Sequence, residues 1–563
     1  MAALAVALTL PALATGRQLD DDLLLETLRH APNTAAAINS LFVFMDGNAA
    51  HTRAQMVSGL FPWWSLPEAQ VAFWRPVAAL THWLDWQLWP ASPALMHAHS
   101  LLYFGLLVAA AAALYRAIYA GQAGPLWLAG LAALLYAVDD AHGFGASWLA
   151  NRNGLLAALA AVLAFGAHVR WRRDGWRPGA WLAPALLTAA LLSNEGAGAA
   201  LGYWVAYALF LDRGPWRQRL AALTPALIVT AAWRWLYSAA GFGVWGTTYV
   251  DPAREPAAFV QAVAAHGPGL LLGQWLLPPA EVAPFLSAGA QTALWVAAGV
   301  VLALSAWWLW PVVRRSATAR FWAGGMLLAG VLPAGGALPA NRLLFLVGLG
   351  AMGLLAEGLA APRSTHWQRR GVRGALVLVH LVLAPLLLPL TAYSPALLGG
   401  LAAASASLPN EPALTRQTVI VVNAPSFANA GYLSRLRGQH GLLTPARVRG
   451  LATGLGPVTV ARTDAHTLIV TPEAGFIGGF DGVFRGPAHP LAVGEMIDLG
   501  DMRVDILSLA PDSLPATAAF HFSTPLEDEV LRWVIWRAGG YAAWSPPAVG
   551  TSVTLTGALE VTP

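Results

Sequence analysis

Three carboxylates stand side by side in "QLDDDLLLE", at positions 20–22, directly after an apolar run and in a chain that is only 11% charged. Neighbouring carboxylates repel, which raises the proton affinity of each and makes one of the set a usable proton acceptor near neutral pH. Three further turns carry polar groups. Asp139, Asp140 and His142 lie in "DDAHGFG", Glu195 in "LSNEG" and Arg342 in "LPANR". A guanidinium offers paired N–H donors to a phosphate. Together the four turns offer the parts of one polar site, although a charge run at a helix end is also the ordinary wetted boundary of a membrane span.

The elements that must position these turns are apolar helices. The 563 residues are 57% hydrophobic with 26 tryptophans, and the mean hydropathy is +0.55. Soluble chains carry about a quarter charged residues, so this composition belongs to a polytopic membrane protein. There is no cysteine, which excludes disulfides, thiolate metal sites and thiol nucleophiles. There is no lysine either, so all 33 basic residues are arginines. They sit in short loops and form no basic face, so the high isoelectric point does not imply nucleic-acid binding.

Apolar runs of span length predict about eleven transmembrane helices. They lie near 1–15, 97–116, 124–138, 154–169, 180–193, 197–211, 220–238, 289–312, 321–335, 343–361 and 374–393. Arginine-rich short loops stay cytoplasmic; here these are 168–177, 212–219, 314–320 and 363–373. With a cytoplasmic N-terminus all four fall inside, and the four polar turns fall together outside. Residues 1–15 read as a short first helix, or as the end of one that starts upstream. A signal peptide fits less well, because no basic residue precedes them and their loss would upset the alternation. The proline- and glycine-broken stretch 266–286 reads as a re-entrant or interfacial segment. The tryptophans of 59–74 suit a helix lying in the membrane interface.

A transmembrane domain is therefore expected over 1–398, with a long first outer loop at 17–95. After it come short β-branched runs at 418–425, 457–464, 467–473, 502–510, 517–523 and 551–557. They predict a small β-rich domain over 399–563, outside the cytoplasm. The spans themselves hold almost no acids. A transporter would carry its acids near the midplane, so charges gathered at one surface favour chemistry at an interface.

The stretch "FWRPVAALTHWLDWQLWPASPALMHAHSLLYF" (73–104) resembles the segment after the first outer loop of GT-C superfold glycosyltransferases. It is most similar to the tetratricopeptide-bearing transmembrane O-mannosyltransferases, without their repeats. The resemblance rests on Arg75-Pro76, Leu84-Asp85, Leu88-Trp89-Pro90, Pro93 and His97. It continues through 134–165, 186–210 and 338–350, in order and on matching sides. It implies transfer of a sugar from a polyprenyl-phosphate carrier to an extracytoplasmic glycan, lipid or protein hydroxyl, with inversion. The Arg-, Ala-, Gly- and Trp-rich composition suits a GC-rich bacterial genome, and with it the expected location is the bacterial inner membrane.

On this resemblance Asp20 and Asp21 match the acid that serves as general base or orients the acceptor. Asp22 is expected to face outward on a new amphipathic helix. Arg342 is the first candidate for the departing phosphate, followed by Arg152 and Arg75, each with a structural role as the alternative. His97, Asp139, Asp140, His142 and Glu195 complete the substrate-binding set. The pair Asp139-Asp140 departs from the His-Pro of the O-mannosyltransferases, and with Asp20 or Asp21 it leaves open a divalent cation, Mg²⁺ or Mn²⁺, held by Asp21 and Asp140. His97 and His99 lie two apart on a helix, so at most one faces the site. His51 and Asp46 are expected to belong to a capped amphipathic helix. No Walker loop, dinucleotide turn or Ser-His-Asp order supports cytoplasmic nucleotide-sugar chemistry. The alternative is a non-enzymatic transporter or envelope-polysaccharide assembly protein.

Overall fold

A computed structural model describes residues 1–18, 20–121, 125–286, 288–362, 364–511 and 513–557. Arg363, at the head of one basic loop, and the last six residues lie outside the described residues. The chain forms two compact units. The first comprises 1–43, 73–243 and 250–397; the second comprises 44–72, 244–249 and 398–563.

The first unit is helical, and a helix stands at each of the eleven expected positions. Five are long and apolar enough to cross a membrane: Pro93–Gly121, Leu149–Asp174, Trp216–Ala239, Gly289–Arg315 and Trp367–Leu397. The chain is thus an integral membrane protein. Its helix Phe345–Ala360 is apolar apart from Glu357 and almost wholly buried, as a helix enclosed by others must be. Its neighbours approach through small residues, as membrane helices do. A Cβ at Gly350 or Gly353 would stand 2.5–2.8 Å from Trp322 or Met326.

Two sets of loops are stitched together at different places. Arg172, in one basic loop, donates from Nε to Asp212 Oδ2 at 2.8 Å in the next, and Arg369 covers the Trp307 ring at 4.6 Å. The polar turns make their own network, described below.

The stretch 266–286 is less broken than its prolines and glycines suggest. Pro256–Trp275 is a continuous helix that runs through Gly267-Pro268-Gly269 and ends before a short 3₁₀ turn, Ala280–Phe285. The glycines serve close packing here rather than a break. A Cβ at Gly269 would meet the Trp295 ring at 2.4 Å, and one at Gly273 would meet Asn341 Oδ1 at 2.6 Å.

Besides a small three-stranded sheet formed by 43–46, 70–72 and 243–245, the second unit holds two larger sheets. One has six strands in the order 552–555, 458–462, 467–472, 515–522, 502–509 and 496–498, all paired antiparallel. The other has four, in the order 540–543, 531–537, 418–424 and 447–453. There Thr418–Ala424, buried at every position, pairs parallel on both sides, which explains its unbroken apolar run.

Residues 44–72, assigned above to the first outer loop, fold with this second unit. The reason is the tryptophan pair: Trp63 is 2% exposed and Trp64 fully buried. The Trp63 ring packs against Phe476 and Phe520, and Trp64 packs against Phe427. The Trp63 indole donates to Leu451 O at 3.0 Å. These residues are core and lie in no membrane interface. His51 and Asp46 do join a capped helix. Asn48 caps Ala49–Ser58, and His51 Nδ1 lies 2.7 Å from Asp46 Oδ2.

That helix ends at Gly59, with φ +86°, where a Cβ would lie 2.0 Å from Val448 O. Gly59→Ala therefore combines left-handed backbone strain with a clash against a strand. It is expected to destabilise the second unit by about 1–3 kcal/mol or more, read as a lower melting temperature of the purified chain.

Candidate active site

The polar turns meet through hydrogen bonds to backbone. Asp21 sits in the first turn of Asp20–His30 and is 5% exposed. Its Oδ2 accepts from Gln18 N at 2.9 Å and its Oδ1 from Ala150 N at 2.7 Å. One carboxylate thus fastens the turn at Gln18 to the turn at Ala150. The Trp148 indole repeats the link, donating to Gln18 O at 3.3 Å. The same ring carries Arg342, whose guanidinium carbon lies 5.0 Å from the ring centroid.

Burial pushes the Asp21 carboxyl up to about 8, with Asp22 and Asp20 adding repulsion and the two amide donors opposing. A base with this affinity is poised near working pH. Asp20 is half-buried at the head of the helix. Asp22 does not project freely into water: Arg17 Nε donates to its Oδ1 at 2.9 Å.

Of the three candidate arginines, Arg342 has no ion-pair partner among the described residues. The other two are consumed. Arg75 donates Nε to Glu195 Oε2 at 2.9 Å, and its Nη2 pairs with Oε1. Arg75 and Glu195 therefore neutralise each other as a tie between loop and helix. Arg152 is 1% exposed. Its Nη1 lies 2.5 Å from Asp85 Oδ2, its Nε donates to Ser100 Oγ at 2.9 Å, and its Nη2 donates to Met96 O at 2.8 Å. Nothing remains of it for a phosphate.

Two histidines are also set aside. His97 Nε2 lies 3.0 Å from Thr15 Oγ1 and 2.7 Å from Gly16 O, fastening the end of the first helix. His142 is wholly buried in a cage of Phe345, Tyr136 and Phe104. Burial drives its ring down to about 3, so it is neutral.

Asp139 is 3% exposed and accepts from Gln274 Nε2 at 2.8 Å. Burial raises both it and Asp140, and repulsion from Asp139 raises Asp140 further. Asp140 is half-buried, and its carbonyl is held by Thr391 Oγ1 at 2.9 Å.

Among the described residues no three His, Asp or Glu side chains gather as a cation site. Both Asp21 oxygens already accept N–H donors, which point positive hydrogens where a cation would sit. The pair Asp21 and Asp140 does not fit a cation holder, and no step is drawn through one.

Several participants escaped the reading of the sequence. Asp85 is 2% exposed and bridges Arg152 to His99, whose Nδ1 lies 2.6 Å from Asp85 Oδ1. Its signal was its register: Ala78, Thr81, His82 and Asp85 fall at i, i+3, i+4 and i+7 on the buried face of Pro76–Leu88. An acid on that stripe must be paired. Trp148 and Glu281, which accepts from Asn341 N at 2.7 Å, gave no signal beyond their residue type.

The Asp85–Arg152 pair invites a stability test. Asp85→Asn leaves a buried guanidinium without its counter-charge and is expected to cost about 3–5 kcal/mol, seen as a lower melting temperature. The double change Asp85→Leu with Arg152→Met is expected to recover most of that loss.

Asp21 also lines a small hollow of about 30 Å³ in the first unit, with Arg17, His82, Asp85, Trp86 and Met96 among its walls.

No protein-family model and no curated protein matches the chain. Among solved structures it is similar to the archaeal oligosaccharyltransferase AglB from Archaeoglobus fulgidus, in complex with an inhibitory peptide and a dolichol-phosphate. The identity there is 12% and the TM-score 0.38, over 76% of this chain and 64% of that one, so this chain spans less than two thirds of that protein's length. It is also similar to ArnT from Cupriavidus metallidurans bound to undecaprenyl phosphate, at 11% identity and a TM-score of 0.37, over 75% of this chain and 81% of that one. At these scores the likeness carries no argument about activity.

Proposed function

We propose that the first unit is an inverting membrane glycosyltransferase. It takes a sugar from a polyprenyl-phosphate carrier and passes it to a hydroxyl acceptor at the extracytoplasmic face. The observation that carries this reading is the turn 148–150. It holds the raised-affinity carboxyl of Asp21 through Ala150 N and the unpaired guanidinium of Arg342 through the Trp148 ring. A proton acceptor and a phosphate ligand are thereby set around one turn.

In the reaction, ionised Asp21 takes the proton of the acceptor hydroxyl as that oxygen forms its bond to the anomeric carbon. The bond from that carbon to the carrier phosphate breaks, and its electron pair leaves with polyprenyl phosphate. Arg342 stabilises the growing phosphate charge with fixed N–H donors. Asp140, half-buried on the adjoining turn, contacts the sugar.

The reading is tested with the full chain in proteoliposomes supplied with polyprenyl-phosphate hexoses. Release of polyprenyl phosphate that depends on an added acceptor supports it. Movement of the intact carrier lipid between leaflets without release supports the transporter instead.

Sidedness is tested separately. A reporter fused after Arg173 is expected in the cytoplasm and one after Ser394 outside it. An outward Arg173 would put the proposed site on the wrong face.

A further inference from the structure

The two pairs of arginine-rich connections differ in what answers their charge. In 168–177 and 212–219, Arg172 is paired with Asp212 and Arg173 with Asp174. The other pair, 314–320 and 363–373, contains no acid. Two of its arginines are spent on carbonyl groups: Arg320 donates to Val313 O and Arg314 O, and Arg373 to Leu359 O and Ala361 O. Glu357, on the neighbouring helix Phe345–Ala360, takes the Ser316 hydroxyl. Arg314, Arg315, Arg369 and Arg370 make no ion pair among the described residues, and all but Arg369 are exposed.

Arginine in short loops is in itself a topology signal, so the arrangement matters more than the number. The spans Gly289–Arg315 and Trp367–Leu397 pack against each other at this end. The guanidinium carbon of Arg369 lies 4.6 Å from the centre of the Trp307 ring. Trp307, Trp310 and Arg314 fall at i, i+3 and i+7, which makes them one stripe of the first of these helices. Trp307 is 42% exposed and Trp310 58% exposed, and exposed aromatic rings near the end of a span meet lipid. Arg314 stands about 10 Å further along the axis. Long helical side chains lean back toward the N-terminus, which here is toward Trp310. Uncompensated positive charge is thus set directly beside an apolar, lipid-facing surface.

We infer that this stripe, with Arg369 and Arg370, is a binding site for an anionic phospholipid, its phosphate at Arg369 and its acyl chains on the two indoles. A guanidinium meets a phosphate through paired N–H donors, and basic clusters between spans hold acidic headgroups. Free phosphate would make the same ion pairs but leave the indoles uncovered. A zwitterionic lipid would bring its own cation up to the arginines.

The test is native mass spectrometry of the full chain released from detergent micelles and titrated with dioleoyl phosphatidylglycerol or dioleoyl phosphatidylcholine, with inorganic phosphate as competitor. The wild type is expected to retain phosphatidylglycerol about tenfold more tightly than phosphatidylcholine, and inorganic phosphate should not displace it. Arg369→Ala should weaken that binding about fivefold, the effect of one arginine near a lipid surface. Arg369→Lys, which keeps the charge, should recover part of the loss. Trp307→Leu, which removes the ring beneath the guanidinium, should weaken binding as well. Arg170→Ala is the control: its guanidinium lies over Trp176 at 4.2 Å, but within the field of Asp174, and binding should be unchanged.

Equal retention of the two lipids, displacement by inorganic phosphate, or a loss in Arg170→Ala as large as in Arg369→Ala would overturn the assignment. So would phosphatidylglycerol binding untouched by Arg369→Ala and Trp307→Leu. None of these readouts involves sugar transfer, so the site stands or falls apart from the proposed reaction.

Discussion

Replacing Asp21 by asparagine is expected to lower sugar transfer by about 10²–10⁴-fold, the range of a lost general base, while the chain stays folded. The wild-type rate should rise with pH and level off above about 8, where burial has placed the Asp21 carboxyl. Below that value only the ionised fraction can accept a proton, so the rate changes about tenfold per pH unit. Asp21→Asn should lose this limb along with the rate.

Stability runs the other way. The folded chain holds the Asp21 proton more tightly than the unfolded chain, whose carboxyl titrates in the ordinary aspartate range near 3.8. Its contribution to stability is therefore complete below about pH 4 and is lost as pH rises toward 8. The melting temperature of the wild type relative to Asp21→Asn should fall across that window. Equal pH dependence in the two proteins would show that Asp21 does not titrate where its burial puts it.

Arg342→Ala is expected to cost about 10²–10³-fold in kcat, comparable to the loss of one preorganised donor to developing charge. The pH limb near 8 should survive, because the base is untouched. Arg342→Lys should recover only part of the rate, since an ammonium supplies the charge without the paired N–H fork or the planar contact with Trp148. Stability should change less than at Arg152, whose ion-pair partner Asp85 would be stranded: Arg342 makes no ion pair among the described residues, and its charge acts only at longer range on the buried Glu281. A kcat within about twofold of wild type in Arg342→Ala would remove this residue from the phosphate.

Much of the helical architecture was legible because bilayer physics writes it into the chain. Apolar length marks helices, and each of the expected helices is present. The contacts of Gln18 and Asp21 with Trp148 and Ala150, and of Arg342 with Trp148, were not legible from helix lengths alone.

Which charges would be free was not legible. Arg75, Arg152 and Arg342 look alike as arginines at helix mouths. Their fates depend on whether a carboxylate from a distant segment reaches them, as Glu195 and Asp85 do for the first two. Trp63 and Trp64 misled for a related reason, since aromatic pairs suit a membrane interface and a β-sheet core equally well. The strands 447–453 and 531–537 were hidden by their arginines. The Arg449 side chain is buried there only because Asp501 and Met56 O receive it.

One measurement bears on the convergence of base and phosphate ligand more directly than any rate: a cryo-EM structure of the full chain in nanodiscs saturated with undecaprenyl phosphate. The account predicts phosphate density within hydrogen-bond reach of the Arg342 guanidinium, on the side of Trp148 that faces Asp21. Phosphate bound elsewhere, with Arg342 and Asp21 both empty, would contradict it.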